Sequence, residues 1–121
     1  MKAIVRRLHS PDADLPTYVP RDPRDVGLLV QIMVGPDGEP GEESFNVVVC
    51  TPRWLERWIS EEGITVGRHH LIIGEWNFPQ VKEYLVKAVE SEEGRDWEEL
   101  GHRIGRLGKW EFEDYQPFGT W

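Results

Sequence analysis

The stretch from Phe45 to Trp58, FNVVVCTPRWLERW, constrains the chain most, because two structural periods meet inside it. Phe45, Val47 and Val49 alternate with Asn46, Val48 and Cys50 in a β-branched run that predicts a largely buried strand. Thr51 and Pro52 stop that strand and open a helix. The threonine hydroxyl can accept an orphan backbone N–H of the first turn, and proline lacks a donor and has its φ already set for a helix. Trp54, Leu55, Trp58 and Ile59 then form a narrow apolar stripe, expected to face the sheet, with Arg53, Glu56 and Arg57 on the wet side. On this reading Trp54 and Trp58 are core residues.

The flanking segments extend the frame. Lys2 to Leu8 reads as a first strand, with Ile4 and Leu8 on one face and Ala3 and Val5 on the other, followed by a loop punctuated by Pro11, Pro16, Pro20 and Pro23. Val26 to Val34 is a second strand, apolar on both faces except at Gln31. The glycines and prolines of GPDGEPGEE mark the loop that folds it against the third strand as an antiparallel hairpin. Gly63 is a C-cap for the Thr51 helix, and a fourth strand falls within Ile64 to Glu75.

The last third is mostly helical. Asn77 caps a helix whose Val81, Tyr84, Leu85, Ala88 and Val89 repeat at three and four, and Gly94 ends it. Asp96 with Glu99 opens a shorter helix, with Trp97, Leu100, Ile104 and Leu107 as its stripe. From Trp110 the period returns to two, which predicts an edge strand or extended arm. The expected fold is α+β: one domain over residues 1–121, a mainly antiparallel sheet of at least four strands, and three helices packed on one face. Because the second and third strands carry apolar residues on both faces, long loops or a second copy of the chain must cover the other face.

Composition narrows function by exclusion. No apolar run approaches the roughly 20 residues of a membrane span, and the opening MKAIVRRLHS lacks the apolar stretch of a secretory signal, so a cytoplasmic location is expected. The single cysteine, Cys50, agrees with a reducing compartment. Acids number 22 against 14 bases, a formal charge of −8. Residues 1–36 balance at +1, so the rest of the chain carries −9. This field repels phosphate backbones, which argues against nucleic-acid binding, and it attracts a basic protein.

Catalytic candidates are few. His69 and His70 are neighbours in the presumed fourth strand, so their side chains point to opposite faces and do not pair at a metal. His102 follows Glu98 by one helical turn, a surface charge pair. Cys50 reads as a core thiol. Glu111, Glu113 and Asp114 are the carboxylates that a small metal-dependent hydrolase or nuclease would use, alone or with His69 and His70, but alternate acids beside Trp110 and Phe112 read more simply as the solvated face of a strand. No phosphate loop, GxSxG or HExxH motif is present, and no cofactor or metal is expected.

Six tryptophans are many for a chain of this size: Trp54, Trp58, Trp76, Trp97, Trp110 and Trp121. Trp76 is the one least tied to a periodic stripe, which marks it as a binding anchor; the rival reading has it plugging the end of the sheet.

Several segments together, HSPDADLPTYVPRDP, GPDGEPGEESFNV, FNVVVCTPRWLERW, GRHHLII and KWEFEDY, give the chain a resemblance to the immunity protein 8 family of bacterial polymorphic-toxin systems. The resemblance runs from Met1 to about Tyr115, and the tail QPFGTW falls outside it. It implies an α+β protein that binds and neutralises a cognate toxin domain, with no catalytic residues to carry over. The acidity points to a basic toxin, with a nuclease as one candidate. Glu42, Glu43, Trp76, Glu111, Glu113 and Asp114 are the residues expected to bind it. A homodimer is compatible with the apolar second face, whereas nucleic acid and membrane are not expected partners.

Overall fold

The computed structural model describes residues 1–112. Within them the chain runs β1 (Ala3–His9), β2 (Gly27–Pro36), β3 (Glu43–Cys50), α1 (Pro52–Glu62), β4 (His70–Ile72), α2 (Phe78–Glu90), α3 (Trp97–Ile104) and β5 (Lys109–Trp110). The fold is α+β, with an open, mostly antiparallel sheet in the order β1-β2-β3-β4 and β5 also pairing with β3. β2 and β3 form the expected hairpin, from Gly27 opposite Cys50 to Val34 opposite Glu43. β4 runs parallel to β3, from Val48 beside His70 to Cys50 beside Ile72. A parallel neighbour requires a crossover, and α1 supplies it. Further along the same side of β3, Phe45 and Asn46 pair with Trp110 and Lys109 of β5.

The core lies on one face of the sheet. Leu28, Val30, Ile32 and Val34 of β2 and Phe45, Val47 and Val49 of β3 are buried there against Val81, Leu85 and Val89 of α2 and Leu100 and Ile104 of α3. Each is an every-second strand residue or an i, i+4 helix residue, so a period of two meets a period near 3.6 across the interface.

β1 departs from simple alternation. Val5 pairs with Val34 and Arg7 with Met33, so Arg6 is an extra residue that shifts the register. The bulge puts Leu8, opposite Ile32, on the same face as Val5, opposite Val34. Ile4 and Leu8 therefore do not share a face, contrary to strict alternation, and Val5 and Leu8 both pack against the core. The Arg6 guanidinium donates to the carbonyls of Pro36, at 3.1 Å, and Glu39, which ties the bulge to the hairpin loop.

The helix caps follow the sequence. Thr51 Oγ1 accepts the Trp54 N–H and also the buried Val26 N–H at 3.1 Å, so one hydroxyl joins helix start to sheet. Asn77 and Asp96 cap α2 and α3 by accepting the N–H groups of Gln80 and Glu99. Gly63 ends α1 at φ 84°, a left-handed conformation that costs glycine little. α2 stops at Glu90, before Gly94, because Lys2 forms a bridge with Glu93 and Gly94 N–H donates to Met1 O. α3 stops at Ile104, short of Leu107, and Gly101 within it leaves room for the Trp110 ring, which a Cβ there would meet at 2.8 Å.

α1 is placed differently from α2 and α3. None of its residues is buried. Trp54 lies over Gly27, on the face of the sheet opposite the core, where an added Cβ would come within 2.0 Å of the indole. Trp58 stacks on Trp54 with ring centroids 5.4 Å apart and is 39% exposed. The expectation that Trp54 and Trp58 fill the core is therefore corrected. Gly27 sets the geometry: with no side chain it admits one indole onto the sheet, and the next turn of the helix is held away from it.

Candidate functional site

Of the described residues expected to bind a partner, Glu42, Glu43 and Glu111 gather at the start of β3, whereas Trp76 lies apart beside Tyr18 and Phe78. Glu43 shares the core face of β3 with Phe45, and its Oε2 accepts both the Trp97 and the Trp110 indole N–H at 2.7 Å. Glu42 is ion-paired with Arg7 at 3.0 Å. Glu111 Oε1 accepts the Ser44 N–H at 2.7 Å, and the Glu111 N–H donates to Ser44 O. Glu113 and Asp114 lie outside the described residues, as does Trp121. Trp76 is half-buried against the core, edge-on to Tyr18 at 5.5 Å and stacked on Phe78 at 6.3 Å, in the position of a plug between the proline-rich loop and α2.

The candidate catalytic groups are also dispersed. His69 is not within a strand: it sits at φ 64° just before β4, with Nε2 at 2.7 Å from the Gly105 carbonyl, a bond it makes as donor. His70 begins β4, with Nδ1 at 3.1 Å from the Arg68 carbonyl. His102 is 4.0 Å from Glu98 and edge-on to Trp110. Cys50 is fully buried, and desolvation pushes its thiol up to about 11, so it stays protonated and weakly nucleophilic at neutral pH. Among the described residues no three His, Cys, Asp or Glu side chains converge to hold a metal.

A different surface gathers around α1 and β4. Trp58 and Ile59 of the helix, Ile64 (83% exposed) and Val66 (73% exposed) of the connection, and Ile72 (57% exposed) of β4 all stand open to solvent. Two grooves flank β4. On the α1 side, Pro52, Leu55, Glu56, Ile59, Ser60 and Ile72 line about 540 Å³. On the α2 side, β4 with Gln80, Val81 and Tyr84 lines about 360 Å³. A third hollow, of about 370 Å³, lies where Trp54 and Trp58 meet Leu29, Val48, Asp12 and His70.

The electrostatics of this surface oppose the stability of its own helix. The last turn of α1 carries Glu61 and Glu62 and no base, so two carboxylates sit at the negative end of the helix dipole. Glu56, Glu61 and Glu62 make no ion pair among the described residues. The helix bases are engaged elsewhere: Arg53 pairs with Asp22 at 2.7 Å and Arg57 with Asp25 at 2.6 Å. Asp25, with a smaller contribution from Glu61, holds the Arg57 guanidinium still more firmly charged. Exposed apolar side chains therefore stand beside carboxylates that make no ion pair among the described residues.

The sequence carries a sign of this surface. Two acids and no base before Gly63 run against the dipole, and Ile64 and Val66 are apolar residues in a connecting segment. Leu55 and Ile59, expected in a buried stripe, line a groove instead.

The fold is an open α+β sheet with a half-uncovered helix, apolar grooves and acidic side chains beside them. The chain belongs to the immunity protein 8 family, whose model matches residues 3–115, nearly the whole chain. No match was found among curated proteins or among solved structures.

Proposed function

We propose that this protein is a stoichiometric inhibitor of a cognate toxin domain in the cytoplasm of the cell that makes both, and that it acts by occlusion, without turnover. The observation that carries this beyond the family assignment is the surface of α1 and β4, where Trp58, Ile59 and Ile72 lie exposed beside Glu56, Glu61 and Glu62. Aromatic and aliphatic anchors within an acidic rim suit the basic surface of a toxin, a nuclease among the candidates. The enzyme alternative draws little support from Glu111, which is bonded to the Ser44 backbone, or from His69, which is bonded to Gly105.

Co-expression with the toxin domain encoded by the adjacent reading frame tests the proposal. Cells should grow, and the two proteins should co-purify in equal amounts. Cells as sick as with the toxin alone would defeat it, and protection by a small fraction of one equivalent would point to catalysis.

Acids should set the association rate. The triple change Glu56→Gln, Glu61→Gln, Glu62→Gln is expected to lower k_on by roughly tenfold at low salt and to flatten its salt dependence, because exposed charges steer encounter. Stability should change by less than about 1 kcal/mol and in the favourable direction, since two charges leave the wrong end of a helix dipole. A wild-type on-rate already insensitive to salt, down to the ionic strength where the Debye length is about 30 Å, would assign the acids to solubility alone.

A further inference from the structure

The two outer edges of the sheet are treated in opposite ways. On the outer side of β1, Glu90 Oε2 accepts the Val5 N–H at 3.0 Å, the Lys2 ammonium pairs with Glu93 at 3.3 Å, and the Arg6 bulge breaks the register. These are devices that stop a further strand from adding. Among the described residues β4 has none of them. Val48 N–H donates to His69 O and Ile73 N–H donates to Cys50 O, so the alternation of a parallel ladder turns Leu71 inward and leaves the N–H and C=O of His70 and Ile72 on the outer side. Among the described residues, β4 is the last strand on that side.

The space beyond this edge is shaped on both faces. Ile72, beside Cys50, borders both grooves, and Leu71 and Ile73 line the α2 groove with Val81 and Tyr84. A strand laid against β4 sends successive side chains to opposite faces, so alternate residues would enter the two grooves. Both are lined mainly by apolar groups, and the one charge lining either is the Glu56 carboxylate.

We infer that the free edge of β4 accepts an extended segment of the toxin as an added strand, with its apolar side chains in the two grooves and a Lys or Arg on the α1 side meeting Glu56. This rests on the toxin-binding reading above and specifies how the partner is held: backbone hydrogen bonds to His70 and Ile72 give affinity, and the grooves give selectivity. Charge decides between the toxin and a second copy of this chain. Two copies joined edge to edge would bring together two chains of formal −8, each with a Glu56 carboxylate lining a groove beside the seam, whereas a basic segment meets that charge.

The test is backbone amide exchange on the full chain, free and saturated with the C-terminal domain of the toxin encoded by the adjacent reading frame. Toxin binding should slow exchange at the His70 and Ile72 amides by at least about 100-fold. Ile72→Pro, which removes an outward N–H, should weaken binding by roughly 30-fold or more, a hot-spot effect, whereas Ile72→Val should stay near the native affinity. Should the proline variant fail to fold, the exchange measurement on the native chain still decides. A complex of full affinity in which both amides exchange at their free rates would overturn the inference and leave the toxin-binding reading standing. If no complex forms at all, both fall. Concentration-dependent protection of the same amides without toxin would also overturn it, by making a second copy the occupant.

Discussion

Replacing Glu43 with alanine is expected to cost about 3 kcal/mol of stability, a large effect for an acid that composition would assign to the surface. Its Oε2 accepts two indole N–H groups at 2.7 Å each, one from α3 and one from β5. Hydrogen bonds to a charged acceptor are each worth about 1.5 to 3 kcal/mol, and removing the acceptor leaves both donors unmet. The Trp110 ring is buried and stacked on Phe45 at 6.0 Å, so its N–H gains no water in exchange; Trp97 is half-buried and recovers part of its loss. Glu43→Gln keeps an acceptor of the same shape without the charge and should cost about 1 kcal/mol. Denaturant midpoints for the two variants check this. A Glu43→Ala midpoint equal to that of the native chain would return Glu43 to the pool of surface acids available to a partner.

Trp58→Ala should show the opposite signature, weakening toxin binding by at least about 2 kcal/mol while stability changes by about 1 kcal/mol or less. Trp58 is 39% exposed and stacks on Trp54 outside the core cluster, so its truncation opens no enclosed cavity and leaves Trp54 in place. A rigid indole at the edge of an apolar surface has much to bury on binding and little side-chain entropy to lose. Trp54→Ala is the control. That ring lies over Gly27 and should cost about 2 kcal/mol of stability before any effect on binding is counted. Melting and affinity measured on each variant separate the roles, and a Trp58→Ala protein that melts far below the native chain while binding normally per folded molecule would make the stacked pair purely structural.

Chain-local chemistry is what the sequence expressed most clearly. The strand ending at Cys50, the Thr51–Pro52 helix start, the Asn77 and Asp96 caps, the Gly63 stop and the hairpin loop each depend on residues adjacent to the feature, and each is found. Errors began where a residue's partner lies far along the chain. The β1 bulge depends on carbonyls of the hairpin loop some 30 residues away, 2 of which Arg6 reaches through its NH2 group. α2 ends early because the chain after it pairs with Lys2 and Met1.

The candidate site divides along the same line. Acidity, the family resemblance and the α+β class are sums or patterns over the sequence and needed no coordinates. Which acids are free did not follow from them. Glu42 and Glu43 are neighbours, yet one meets Arg7 across the sheet and the other is held by Trp97 and Trp110 from elements more than 50 residues away, with sequence separations of 54 and 67. An amphipathic stripe at Trp54, Leu55, Trp58 and Ile59 specifies a helix with one apolar side and says nothing about what meets that side. Only the tertiary structure decided that Gly27 admits Trp54, that Trp58 and Ile59 stay partly in solvent, and that β4 is the last strand on its side among the described residues, between two grooves. Periodicity is a property of neighbours along the chain, whereas exposure is set by whichever distant surface arrives to cover them.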